Sequence, residues 1–165
     1  MKACGIIVEY NPFHNGHKYH LEKAKTLSKA DLVIAVMSGN FLQRGEPAIL
    51  NKWLRAKMAL FSGVDLVIEL PSIYSTDVGE FFAKGAIKIL NELKVDSLVF
   101  GSEMGDVDVL KKIVSFTEET EFSNKIKELL KEGMSYPNAM RLLVEESFGK
   151  DSLNPNNILG IEYLR

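Results

Sequence analysis

Four short apolar runs, each followed by a stretch of helical period, constrain this chain more than any other feature. They are ACGIIVEY at 3–10, DLVIAVMSG at 31–39, VDLVIELP at 64–71 and DSLVFGSE at 96–103. Within them, Leu32 to Val36 and Leu66 to Ile68 contain no polar residue. A strand with one wet face alternates polar and apolar residues. A continuous β-branched run belongs to a strand buried on both faces, which is the mark of a parallel sheet. The stretches between carry helical spacing. Leu21, Ala24 and Leu27 or Ser28 share a face in 17–29. Leu50, Leu54, Met58 and Phe61 form a stripe in 49–62, and Phe82, Ala86, Ile89 and Leu93 one in 79–93. Strand, helix, strand, repeated, requires crossover connections. The expected fold is therefore α/β, a Rossmann-like open parallel sheet with flanking helices.

Beyond residue 104 the pattern becomes helical. DVDVLKKIVSF, NKIKELLKEG, YPNAMRLLVEESFG and NNILGIEYLR all read as helices. Asp106 is placed to cap the first, and Gly133 and Gly149 to stop the second and third. The 165 residues suit one domain, with a sheet part at about 1–104 and a helical part at about 105–165. The last helical pattern runs to the final residue with no glycine stop. The expectation is that the chain is the N-terminal part of a longer one.

Several function classes drop out. The net charge of −2 gives no overall field toward nucleic acid or membrane, while leaving a local basic patch open. A single cysteine, Cys4, excludes an internal disulfide framework and a Cys-rich zinc site. The N-terminus turns polar too soon for a signal peptide, and no apolar run approaches the roughly 20 residues of a membrane span. A reducing cytoplasm is the expected compartment.

In an open α/β sheet, ligands bind beyond the carboxyl ends of the strands. Four loops leave those ends here: NPFHNGH, SGNFLQRGEPA, PSIYSTDVG and GSEMGD. The first contains His14 and His17, two of the three histidines, and His20 follows one turn later. Pro12 fixes a backbone angle and Gly16 permits close approach. A helix starting near Gly16 and His17 turns its free N–H groups toward the crevice, a ready anion site. Imidazoles there can donate hydrogen bonds to phosphate oxygens, and protonated ones can offset transition-state charge. A metal reading is weaker, because HNGH lacks the carboxylate or thiolate spacing of known zinc motifs. The plain alternative is a turn with surface histidines. His20, inside the helix, is expected to pack, to face solvent or to wall a nucleotide pocket.

The second loop carries Arg44, whose fork suits phosphate or carboxylate. Ser38 and Gly39 at the strand end look like crevice lining. Lys52, Arg55 and Lys57 read as a solvated helix face. Gly101 stands where a backbone approaches something closely. Glu69 is a weak crevice candidate, and Met134, Met140, Phe81 and Phe82 read as core. A dinucleotide-binding reading fails because no G-x-G-x-x-G follows the first strand.

NPFHNGH resembles the H-x-G-H signature of the nucleotidyltransferase superfamily. GIIVEYNPFHNGHKYHL, VMSGNFLQRGEPAI, KMALFSGVDLVIELP, VFGSE, SYPNAMR and PNNILGIEYL together resemble the bacterial tRNA(Met) cytidine acetate ligase family. The resemblance runs from residue 1 to 165 and covers that family's N-terminal portion, its chains being about twice as long or more. It implies activation of acetate by ATP to acetyl-AMP. The acetyl group then passes to N4 of the wobble cytidine of elongator tRNA(Met), forming N4-acetylcytidine. It implies His14 and His17 as catalytic. It implies ATP contacts at Ile7, Val8, Glu9, Tyr10, Asn11, Pro12, Phe13, His14, Asn15, Gly16, His17, Lys18, Tyr19 and His20, at Gly101, and at Asn156 or Asn157. Ser38, Gly39 and Arg44 are the further substrate-binding candidates. Mg2+ is expected with ATP, although no dedicated carboxylate cage is visible. Two rivals stand beside this: an adenylyltransferase with a dinucleotide product, and a nucleotide- or tRNA-binding module without turnover. The 165-residue chain is expected to bind ATP weakly and not to acetylate tRNA.

Overall fold

A computed structural model describes residues 1–165. The chain forms two compact units, Met1–Phe100 and Gly101–Arg165.

The first unit runs β1 (Ala3–Val8), α1 (Asn15–Ser28), β2 (Leu32–Ser38), α2 (Lys52–Phe61), β3 (Leu66–Leu70), α3 (Ser72–Ser75), α4 (Gly79–Glu92) and β4 (Ser97–Leu98). All four strands are parallel, in the order β3-β2-β1-β4. The chain steps outward from β1 to β3, then returns to add β4 on the other side of β1. That reversal is a topological switch point, and it places a crevice beyond the carboxyl ends of β1 and β4. Cys4, Ile6, Val8 and Tyr10 alternate along one face and pack with Val33, Ala35 and Met37, with Leu21 and Ala24 of α1, and with Ala59 of α2. The opposite face meets α4: a Cβ on Gly5 would lie 2.7 Å from Leu90 Cδ2. The expected parallel sheet with flanking helices is found.

Four details differ from the periodicity. β3 has only β2 as neighbour, so Leu66 is exposed and Val67 and Ile68 are half-buried instead of enclosed. β4 contributes only two paired residues. On α4, Leu90 is buried and Leu93 is not. The largest departure is α2. Of its expected apolar stripe, Phe61 is 91% and Leu54 42% exposed and Leu50 and Met58 are only half-buried, while the buried side holds Ala59 and Arg55. Arg55, read as a solvated charge, is 0% exposed.

The second unit contains α5 (Val107–Glu118), α6 (Thr120–Lys131), α7 (Tyr136–Phe148) and α8 (Pro155–Leu164). Asp106 caps α5, its Oδ1 accepting from the N–H groups of Asp108 and Val109 at 2.9 and 3.3 Å. Gly133 and Gly149 follow α6 and α7 at φ 91 and 94, angles glycine adopts without the Cβ penalty. Leu110, Ile113, Phe122, Ile126, Ala139, Val144 and Ile161 are buried. Phe116 meets Phe122 and Phe148 edge to face, at 5.1 and 5.5 Å. No helix in either unit is long and apolar enough to cross a membrane.

Candidate functional site

The loop after β1 is held at several points. The Glu9 carboxylate accepts from the Gln43 N–H at 2.8 Å, and Asn11 Oδ1 from the Ile49 N–H at 2.7 Å. Tyr10 takes a left-handed backbone angle, φ 52, and its ring is buried against Phe13 and His17 at 4.7 and 4.8 Å. Burial pushes its phenol well above the ordinary range, so Tyr10 is a neutral hydroxyl.

α1 begins at Asn15, slightly earlier than the sequence implied, because His14 is its N-cap. His14 Nδ1 accepts from the Gly16 N–H at 3.0 Å, and His17 Nδ1 accepts from the His14 N–H at 3.3 Å. The two imidazoles thus form a reciprocal capping box, the role Ser and Glu usually fill. They stack with centroids 3.7 Å apart and 21° between planes. The first-turn N–H groups are therefore not bare, as the sequence had implied; an imidazole covers them. With Nδ1 of each ring accepting, the hydrogen-bond network assigns the neutral proton to Nε2. Each ring's donor is then Nε2–H. Gly16 has a steric reason to be glycine, since a Cβ would lie 2.9 Å from His14 Cε1.

Burial, then repulsion from His14 and His20, lowers the pKa of His17 to about 4, while the Pro12 backbone pulls the other way. His17 is neutral at pH 7 in the protein without ligand. Its contribution there is a hydrogen bond and not a charge. His20 is also lowered by burial, partly offset by the Val99 backbone. Its Nε2 is buried with no protein partner, as are Tyr10 OH and Ser38 Oγ. Three orphaned polar atoms at the strand ends are unusual, since such groups are nearly always satisfied.

The loop after β2 starts at buried Ser38 and Gly39. A Cβ on Gly39 would lie 2.5 Å from Glu69 Oε1, and that carboxylate is fixed by Lys52 Nζ at 2.6 Å. Glu69 and Lys52 thus wall this end of the sheet. Arg44 is exposed at the tip of a tight turn in which the Gly45 N–H bonds the Leu42 carbonyl at 2.8 Å. Arg55 lies beneath both loops. It donates from Nε to the Leu50 carbonyl at 3.0 Å, from Nη1 to the Glu9 carbonyl, and from Nη2 to the carbonyls of Ser38, at 3.1 Å, and Gly39.

The remaining candidates belong to the second unit. Gly101 is exposed, and a Cβ there would meet nothing within 4 Å, so packing does not require the glycine. Asn156 and Asn157 open α8 and differ sharply. Asn157 is fully buried. Its Oδ1 accepts from Ser102 Oγ at 2.6 Å and the Met104 N–H at 3.2 Å, and its Nδ2 donates to the Asp151 carbonyl at 3.1 Å. Asn156 is exposed and gives Nδ2 to Glu103 Oε1 at 2.9 Å. Glu103 also accepts the N–H groups of Asn156 and Asn157, at 3.2 and 2.9 Å, and so caps the helix. No three His, Cys, Asp or Glu side chains gather in a way that holds a metal ion.

The profile of the HIGH Nucleotidyl Transferase family matches residues 1–165. The chain belongs to that family. A tRNA(Met) cytidine acetate ligase of Caldicellulosiruptor saccharolyticus is 58% identical over 168 residues, covering 100% of this chain and 42% of that one. The ligase of the same name from Bacillus subtilis is 49% identical, covering 99% and 41%. A crystal structure of Thermotoga maritima TmcAL bound with alpha-thio ATP matches with a TM-score of 0.91 at 43% identity, covering 99% of this chain and 42% of that chain. The chain therefore spans well under half the length of these relatives.

Within this family framework, pattern reading found the histidine loop but missed Arg55, Glu103 and the loop-holding roles of Glu9 and Asn11. For Arg55 one faint signal exists: Ala56 and Ala59 are small residues on a helix that must come close to the sheet. Nothing in one dimension identifies the carbonyls it holds.

Proposed function

We propose that this chain is the ATP-binding part of an enzyme that activates acetate as acetyl-AMP and transfers the acetyl group to N4 of the wobble cytidine of elongator tRNA(Met). The observation that carries the reading is the stacked His14–His17 pair at the start of α1, at the end of β1. Relatives of 49–58% identity bear the name tRNA(Met) cytidine acetate ligase, and a 43% identical structure holds an ATP analogue, which supports ATP as the ligand.

The chemistry follows from the residues. An acetate oxygen attacks the α-phosphorus of ATP, the bond to the β-phosphate oxygen breaks, and pyrophosphate leaves. Acetate is already ionised at neutral pH, so no general base is required, and positioning with charge stabilisation does most of the work. His14 and His17 donate their Nε2–H groups to phosphate oxygens. A bound phosphate favours the protonated ring, so His17 gains charge as ATP binds, its Nδ1 turning from acceptor to donor and releasing the His14 N–H. Ile7–His20 forms the ATP segment. Asn156 is the exposed member of its pair, and the buried Asn157 holds the local frame. Ser38, Gly39 and Arg44 remain the candidate acid-side residues. The carboxylates near the loops are engaged by Gln43, Lys52 and the start of α8, and they offer no cage for Mg2+. Mg2+ would arrive on the ATP phosphates, and no step here is routed through it.

ATP–pyrophosphate exchange tests the proposal. The expected result is exchange that depends on acetate. Exchange driven by a mononucleotide would instead support the dinucleotide-forming rival. ATP binding with no exchange under any acid would support the binding module.

A further inference from the structure

We propose that Arg55 is a positioning residue for the ATP site, fixing the loop after β1 relative to the loop after β2. The proposal rests on the phosphate reading of the His14–His17 loop.

The ladder between β1 and β2 ends at the pair Val8 and Met37. Beyond it β1 and β2 are no longer paired, although Ser38 still pairs with Leu70 of β3, and the carbonyls of Glu9, Ser38 and Gly39 lie past that last β1–β2 pair. Buried carbonyls of this kind need a donor from elsewhere. Arg55 supplies it, from positions 46, 17 and 16 residues distant, and a fourth bond ties Leu50 just before α2. One planar guanidinium therefore replaces the missing rungs of the sheet.

All three guanidinium nitrogens are engaged, and the side chain is 0% exposed. Arg55 is not a clamp for phosphate or acetate, because its donors are directed at backbone. It acts through the backbone it holds. Glu9 begins the loop that presents His14 five residues later, and Gly39 begins the facing loop. Catalysis that relies on positioning loses about a hundredfold for a misplacement near 1 Å. Lysine cannot substitute, since one ammonium cannot reach carbonyls spread around a planar fork.

The test is Arg55→Lys, with folding followed by circular dichroism and ATP affinity expressed per folded molecule. We expect affinity to fall roughly tenfold or more, with amide resonances shifting at 9–17 and 38–50 and not at 107–165. A folded Arg55→Lys chain that binds ATP like the unaltered chain overturns the proposal and leaves the ATP reading intact. An unaltered chain that binds no ATP overturns both. If Arg55→Lys does not fold, Arg55→Ala with added methylguanidinium decides the matter. Restoration of ATP binding by methylguanidinium, and not by methylammonium, supports a fork-shaped positioning role. Equal restoration by both, or refolding without ATP binding, or no refolding, overturns it.

Discussion

Two helices of this chain begin in opposite ways. α1 is capped by its own imidazoles, His14 and His17, whose Nδ1 atoms accept and whose Nε2–H groups remain as donors. α8 is capped by Glu103, a carboxylate from outside the helix, which takes two backbone N–H groups and the Asn156 amide. Both helix ends carry the same positive dipole. At α8 an anion is already present, so a second one gains little. At α1 the cap adds donors to the dipole and carries no negative charge. A helix N-terminus is thus not a phosphate site by position alone; what caps it decides.

The two ends can be broken separately. Asn157→Ala has the largest expected effect on stability. It removes an amide that satisfies Ser102 Oγ, the Met104 N–H and the Asp151 carbonyl, and should destabilise the fold by about 3 kcal/mol in urea denaturation. A change under about 1 kcal/mol would mean that this frame is not structural. His17→Ala should do the reverse. Stability should shift by no more than about 1 kcal/mol, while acetate-dependent exchange falls about a hundredfold. His14→Ala should show both effects, because it removes the cap as well as the donor. An unfolded His17→Ala chain would favour a purely architectural turn. The smallest effect is in pH. The pKa of His17 is about 4 when folded and near 6.5 when unfolded, so between these values the unfolded chain holds a proton the folded chain refuses. This contribution to stability is complete above pH 6.5 and declines as pH falls toward 4, a loss that thermal melts across the window should detect.

The parallel sheet was legible because burial on both faces forces continuous apolar runs, and Leu32 to Val36 is such a run. The histidine loop was legible because a turn after the first strand of such a sheet has few places to go. Arg55 was not. Periodicity assigned the buried side of α2 to Leu50, Leu54, Met58 and Phe61, yet a cation lies under the loops because it replaces strand hydrogen bonds. That need arises only once β1 and β2 are side by side. β3 misled for a related reason: a run such as Leu66 to Ile68 does not reveal whether the strand has one neighbour or two. Asn156 and Asn157 are identical in sequence and separated only by the turn of α8, which buries one and exposes the other.

The central claim is that His14 and His17 meet phosphate. NMR titration of the His17 imidazole, with and without saturating ATP, tests it most directly. Without ATP the ring should titrate at about 4. With ATP its midpoint should move upward toward neutrality, because the phosphate stabilises the charged ring. A midpoint that ATP leaves unchanged would contradict the account.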